Sequence, residues 1–158
     1  LLERIAADGN TFSDVTLHVG LGTFKPMQTE EVEEHAIHRE IYEISAITQA
    51  RIFDTSHRRI AVGTTSVRTI EDFLARHDSP SGDCIGEADL FIVPPRGFRG
   101  VDALVTNFHA PRSTLLCLVA AFLTPGSTEG VAWLREIYSG AIAERYRFLS
   151  YGDAMLIL

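Results

Sequence analysis

Apolar residues in this chain come in short blocks separated by turn signals, and the blocks alternate between strand and helix periods. Leu1-Leu2-Glu3-Arg4-Ile5-Ala6-Ala7 reads as the end of an amphipathic helix, with Gly9-Asn10 as a turn beyond it. Val15 to Val19 alternates as a strand does. Gly20 to Pro26 then forms a loop whose two glycines permit close backbone approach. After the acidic stretch Glu30 to His38, the run from His38 to Ser45 sets Ile41, Glu43 and Ser45 against Glu40, Tyr42 and Ile44, a half-buried strand. Ser45 suits the N-cap of a helix to about Phe53. Arg59 to Val62 is a short strand, and Gly63-Thr64-Thr65-Ser66 opens a helix from Val67 to Arg76. A turn-rich connection fills His77 to Gly86, a buried strand is expected at Asp89 to Val93, and a Pro- and Gly-rich loop follows to Gly100.

The stretch from Val101 to Ala121 organises the rest. An apolar strand, Val101 to Thr106, breaks into the polar knot Asn107-Phe108-His109-Ala110-Pro111-Arg112-Ser113-Thr114, and an almost wholly apolar helix runs from Leu115 to about Leu123. Pro125 to Thr128 is a turn with Ser127 or Thr128 as cap. A helix from Gly130 to Tyr146 carries Val131, Leu134, Ile137, Tyr138, Ile142 and Tyr146 near one stripe. Phe148 to Asp153 is a polar and aromatic turn, and Ala154 to Leu158 a closing strand. Strands alternating with helices predict an α/β fold, a three-layer α/β sandwich with a mixed, mainly parallel sheet. In such folds ligands gather at strand ends, where the loops Gly20–Thr23, Gly63–Ser66, Pro95–Arg99 and Asn107–Thr114 fall.

Composition narrows the function. The 158 residues suit one domain, with 46% hydrophobic and 22% charged residues, an ordinary soluble balance. A net charge of −7 argues against general nucleic-acid binding but leaves room for a local basic patch. Arg96, Arg99 and Arg112 lie in neighbouring loops and Arg145 and Arg147 near the end, although solvated surface arginines read the same way. Two cysteines, Cys84 and Cys117, make no disulfide framework, which fits a reducing, cytoplasmic compartment; Cys117 is expected to pack as a small hydrophobe. The longest apolar run is far short of the roughly 20 residues that span a bilayer, so no membrane is expected. The abrupt start suggests that a front part is absent.

The candidate chemistry rests on His18, His109, Asp102, Asp153, Glu71, Arg68, Arg112, Tyr151 and several hydroxyls. A glycine followed by a hydroxyl-rich helix start is a natural anion site, but these hydroxyls could equally cap the helix; no P-loop frame is present. Nor is there a Gly-x-Ser-x-Gly elbow for a serine nucleophile. His109 beside Arg112 pairs a titratable imidazole with a fixed fork for carboxylate or phosphate, while a structural histidine stays open. His35 and His38 share i, i+3 spacing without a third ligand nearby, so no metal is expected.

Five stretches together resemble the S-adenosylmethionine:tRNA ribosyltransferase-isomerase family of queuosine biosynthesis: VTLHVGLGTFKP (15–26), EEHAIHRE (33–40), IAVGTTSVRTIE (60–71), VDALVTNFHAPRSTLLCLVAAF (101–122) and ERYRFLSYGDAMLI (144–157). Their order and spacing match nearly end to end. The resemblance implies the C-terminal portion of an α/β catalytic domain, residues 1–158 here, without the family's N-terminal part and inserted β-barrel. It implies transfer of the ribosyl portion of S-adenosylmethionine, as co-substrate, to the aminomethyl group of 7-aminomethyl-7-deazaguanine in tRNA. Adenine and methionine leave, and the ribose rearranges to give epoxyqueuosine.

That chemistry needs an acid and a base, and the resemblance makes His109, His18 and Asp153 the catalytic candidates. Gly20, Gly22, Thr23, Gly63, Thr64, Thr65, Ser66, Arg68 and Asn107 are the implied cofactor-binding positions, and Arg112, Ser113, Thr114 and Tyr151 the substrate-binding ones. A tRNA partner, a monomer and a cytoplasmic location follow as expectations. Two departures stand out: Pro94-Pro95-Arg96-Gly97-Phe98 where the family usually reads Pro-Gly-Tyr-x-Phe, and a short link between Phe53 and Arg59. They leave open a divergent paralogue, either a non-catalytic nucleotide- or RNA-binding module or an S-adenosylmethionine enzyme acting on a small molecule.

Overall fold

The computed structural model describes the backbone of residues 1–158 and every side chain except those of Leu21 and Phe24. Its elements are α1 (Leu2–Ala7), β1 (Thr16–Leu17), β2 (Glu40–Ile44), α2 (Ala46–Phe53), β3 (Ile60–Val62), α3 (Thr64–Arg76), β4 (Cys84–Ala88), β5 (Ala103–Asn107), α4 (Thr114–Leu123), α5 (Gly130–Ala143) and β6 (Ala154–Ile157). Short 3₁₀ turns occupy Leu21–Phe24 and Val32–Glu34.

The α/β class holds. The strands form two three-stranded sheets, β1-β2-β4 and β3-β5-β6. The first is antiparallel throughout. In the second, β3 runs parallel to β5 and β6 antiparallel to it, with Val62 level with Val105 and Val105 level with Leu156. Helices α3 and α4 cover one face of this second sheet through Ala61, Val67, Leu104, Leu118, Ala121 and Phe122. On its other face Ile60, Val62 and Leu156 remain exposed.

Local chemistry explains most boundaries. Ser45 caps α2, its Oγ accepting from the Thr48 N–H at 3.2 Å. Ser113 does the same for α4, accepting from the Leu116 N–H at 3.3 Å. In β2 the inward register is Glu40, Tyr42 and Ile44. Tyr42 and Ile44 join Ile52, Phe73, Leu74 and Ala88 in a second core. A third, smaller cluster of Val119, Ala120 and Leu134 seats α5 on α4 and β6. Helix α3 feeds the first core with Val67 and the second with Phe73 and Leu74, so it is the spine between the sheets.

Two expected elements differ. No strand forms over Asp89–Val93; the ladder residues are Cys84–Ala88, inside and just past the expected turn-rich connection. The Asp72 carboxylate accepts from the N–H groups of Asp89 and Leu90, each at 3.1 Å, and Arg68 Nε donates to the Leu90 carbonyl at 3.3 Å. Those backbone groups are satisfied by α3 side chains rather than by a neighbouring strand. Helix α5 ends at Ala143 instead of Tyr146. Arg145 adopts φ 61°, its N–H bonds Ile142 O at 3.1 Å, and the Tyr146 N–H bonds Ala141 O at 2.9 Å. This is a Schellman closure with arginine at the usual glycine position. The buried stripe of α5 is accordingly Leu134 and Ala141 with half-buried Tyr138, while Val131, Ile137, Ile142 and Tyr146 are exposed.

The α4–α5 crossing depends on one missing side chain. A Cβ on Gly130 would overlap the backbone carbonyl oxygen of Ala120, which cannot swing away as a side chain can. Gly130→Ala is expected to lower unfolding free energy by about 2 kcal/mol in urea denaturation, within the usual range for overpacking. An unchanged midpoint would show that the two helices separate at little cost.

Candidate functional site

The sheets and α3 leave a cleft where the starts of two helices meet. Thr64, Thr65 and Arg68 from the first turns of α3 line it, as do Thr114, Leu115 and Leu118 from α4. Leu17, Thr23, Ile37 and Glu40 close one side, and Leu90, Phe91 and Ile92 the other. The enclosed part of the cleft is small, about 20 Å³, and the rest opens to solvent. Its wall is mainly apolar with a few hydroxyls, the usual make-up of a small-molecule site. Helix N-termini present free N–H groups and a partial positive charge, which suits an anionic group. No side chain caps α3: its N-cap is Gly63 at φ 89°, and the Gly63 N–H is held by Val105 O at 2.8 Å. Ser66 turns its hydroxyl back to Val62 O at 2.8 Å. Thr64 and Thr65 are left facing the cleft.

The lining includes a buried ion pair. Glu40 is 3% exposed and Arg68 7%. Glu40 Oε2 accepts from Arg68 Nη1 at 2.6 Å. Glu40 Oε1 accepts from the Gly20 N–H at 2.8 Å and from the Thr23 hydroxyl at 2.5 Å. Arg68 spends its other donors on the carbonyls of His38, Ala88 and Leu90. Burial pulls the guanidinium below its usual pKa, against the opposing field of Glu40. Gly22 lies against the His38 ring so closely that a Cβ would overlap it.

His109 is not part of the cleft lining. Its ring is 5% exposed, its Nε2 lies 3.1 Å from the Thr106 hydroxyl, and its backbone N–H donates to the Tyr138 hydroxyl at 2.8 Å. Burial lowers its pKa from 6.5 to about 4, so the imidazole is neutral at neutral pH. Next to it, Phe108 packs with Tyr138, Tyr146 and Phe148 in an aromatic corner, and its carbonyl takes the Leu149 N–H at 2.9 Å. The Asn107 amide donates to Phe108 O at 3.2 Å. The turn after the corner is tied by Asp153, which accepts from the Arg147 N–H and Nη2, both at 2.8 Å. Those hydrogen bonds with Arg147 hold the Asp153 pKa down at about 2. Tyr151, on the same turn, is 98% exposed.

The structure therefore gathers Thr23, Thr64, Thr65, Arg68 and Thr114 at one cleft, and His109, Asn107 and Asp153 around the neighbouring aromatic corner. Gly20 and Gly22 lie on the turn that Glu40 holds. His18 is exposed just past β1, its Nε2 3.1 Å from Glu43 Oε1. Arg112 is exposed at φ 57°, its carbonyl accepting from the Met27 N–H at 2.8 Å. Sequence reasoning passed over Glu40, Phe91 and Tyr138. Glu40 had a signal: it is the one charged residue in the register of β2 that it shares with apolar Tyr42 and Ile44.

A family model described as "Queuosine biosynthesis protein" matches residues 1–157. A protein named S-adenosylmethionine:tRNA ribosyltransferase-isomerase from Thermotoga maritima is 49% identical over 161 residues, covering 100% of this chain and 46% of its own length. One of the same name from Ralstonia pickettii is 49% identical over 160 residues, covering 99% of this chain and 43% of its own. The crystal structure of an S-adenosylmethionine tRNA ribosyltransferase from Thermotoga maritima superposes with a TM-score of 0.74 at 43% identity, over 99% of this chain and 48% of that one. The chain spans about half the length of the curated relatives it matches. With a model match over almost its whole length, the chain belongs to the queuosine biosynthesis protein family.

Proposed function

We propose that this chain supplies the C-terminal, co-substrate-binding part of an S-adenosylmethionine:tRNA ribosyltransferase-isomerase. The reaction moves the ribosyl portion of S-adenosylmethionine to the aminomethyl nitrogen of 7-aminomethyl-7-deazaguanine in tRNA and yields epoxyqueuosine. The observation that carries the reading is the cleft between the first turns of α3 and α4. Its apolar wall, Phe91 included, suits a nucleobase; the hydroxyls of Thr23, Thr64, Thr65 and Thr114 suit a ribose. Either helix start suits the methionine carboxylate.

Within this reading the catalytic work divides among three residues. His109, kept neutral by burial, is the base, because an imidazole with a pKa near 4 holds no proton to donate at neutral pH. His18, exposed and beside Glu43, is the acid that eases adenine departure. Asp153, held ionised by Arg147, accepts hydrogen bonds from the modified base or its ribose. Arg112, Ser113 and Tyr151 belong to the tRNA side, with Arg112 and Tyr151 exposed at the surface where phosphate and base would meet them. The location proposed is the cytoplasm, where tRNA is; no helix among the described residues is long and apolar enough to cross a membrane.

The test exchanges this chain for the matching segment of the Thermotoga maritima relative. The hybrid is incubated with S-adenosylmethionine and tRNA bearing the aminomethyl base. Adenine release with a matching mass gain on the tRNA is expected. A folded hybrid that yields neither sinks the reading. Turnover without tRNA would favour a small-molecule enzyme, and co-substrate binding without turnover a binding module.

His109 gives two further expectations. Its ring resonances should titrate near pH 4 in an NMR series rather than near 6.5. A histidine whose folded pKa lies below its unfolded value stabilises the fold only while neutral. Its contribution is full above about pH 6.5 and is lost as pH falls towards 4. In the hybrid, His109→Ala should cut turnover roughly 100-fold or more, the usual range for a general base, with the melting curve still cooperative. Turnover near that of the unsubstituted hybrid would remove His109 from the mechanism.

A further inference from the structure

We propose that Glu40, clamped by Arg68, is the positioning residue that fixes the Gly20–Thr23 turn at the edge of the cleft and so sets affinity for S-adenosylmethionine. The inference rests on the reading of the cleft given above, and it assigns Arg68 to this network rather than to direct contact with the co-substrate. The geometry is one of shared acceptors. A single oxygen, Oε1, takes both the Gly20 N–H and the Thr23 hydroxyl, while Oε2 takes Arg68. Only an ionised carboxylate meets three donors at once without presenting one of its own, and charge-assisted bonds of this kind are about twice as strong as neutral ones. Arg68 cannot turn away, because three backbone carbonyls on two separate segments hold it. One of these is the carbonyl of His38, whose ring presses on Gly22. The turn is thus held on both sides by one network, whose fixed point is the first turns of α3. Thr23, the last residue it grips, lines the cleft directly.

Glu40→Gln tests the charge but leaves Arg68 buried without its partner, which by itself threatens the fold. Thr23→Val is the second variant: it removes one hydroxyl, keeps the shape, and leaves the ion pair intact. Amide hydrogen exchange over residues 20–25 is read in the free chain. Michaelis constants for S-adenosylmethionine and for tRNA are read in the hybrid. Both variants should raise exchange at Gly20–Lys25 roughly tenfold or more, as expected for losing a hydrogen bond to a charged acceptor. KM for S-adenosylmethionine should rise by a similar factor, with kcat changed less and KM for tRNA unchanged. Unaltered exchange in Thr23→Val overturns the proposal. So does raised exchange with an unaltered KM for S-adenosylmethionine, which would make Glu40 a structural residue only. An unsubstituted hybrid that fails to bind S-adenosylmethionine would sink the functional reading instead, and the exchange measurement alone then decides whether Glu40 holds the turn.

Discussion

Helix α3 carries three charged side chains into the interior, and the fold is arranged so that none is left without partners. Arg68, Glu71 and Asp72 are 7%, 1% and 1% exposed. Arg68 meets Glu40 and three carbonyls; Asp72 meets Arg76 and the N–H groups of Asp89 and Leu90. Glu71 accepts the Arg99 and Gly100 N–H groups, with burial raising its pKa against those bonds. Stranding any one of these charges would cost roughly 3–5 kcal/mol, the range for a broken buried pair. The segment from Ala88 to Gly100 therefore has little choice of path. It runs along the helix, and the N–H groups of Asp89, Leu90, Arg99 and Gly100 are met by carboxylates of α3 instead of by a sheet.

The same arrangement divides labour at the cleft. The Glu40–Arg68 pair in the lining is buried and its donors and acceptors are occupied, while hydroxyls and apolar side chains make up the rest of the wall. A guanidinium exposed in the cleft would bind any anion and tie affinity to salt concentration. Two helix starts with threonines give a weaker, directional attraction for an anionic end and leave the apolar wall free for a planar base. That balance suits a ligand with one flat aromatic part, one sugar and one carboxylate.

How far the sequence could be read follows from the range of the interactions involved. Helix caps act over three residues, and Ser45 was legible for that reason. The strands around Ile60–Val62, Ala103–Asn107 and Ala154–Ile157 were legible from apolar runs bounded by turns. Asp89–Val93 failed because the apolar run of four, Leu90–Val93, looks alike whether it pairs in a ladder or packs under a helix. Only Asp72, 17 and 18 residues away along the chain, decides between them. The end of α5 failed because arginine at a left-handed C-terminal position carries no local sign, unlike glycine. The site was legible as loops, since Thr23, Thr64, Thr65 and Thr114 do meet. It was not legible as roles. An arginine beside hydroxyls reads as an anion binder until the glutamate 28 residues earlier is seen to occupy it.

Arg112 shows how the two halves of the site are joined. A non-glycine residue at φ 57° costs about 1 kcal/mol or more, and such outliers persist only where surrounding contacts over-determine them. Here the Met27 N–H bonds the Arg112 carbonyl, and the side chain reaches Thr29 O. These contacts tie the 27–29 segment, a few residues beyond the turn held by Glu40, to the start of α4. The next residue, Ser113, caps that helix, and the one after, Thr114, enters the cleft. Three residues before Arg112 is His109, locked on the aromatic corner by Tyr138. The strained residue thus lies between the binding wall and the neutral imidazole. The contacts with residues 27 and 29 hold the backbone left-handed there, which lets the chain turn from His109 into the start of α4 within five residues.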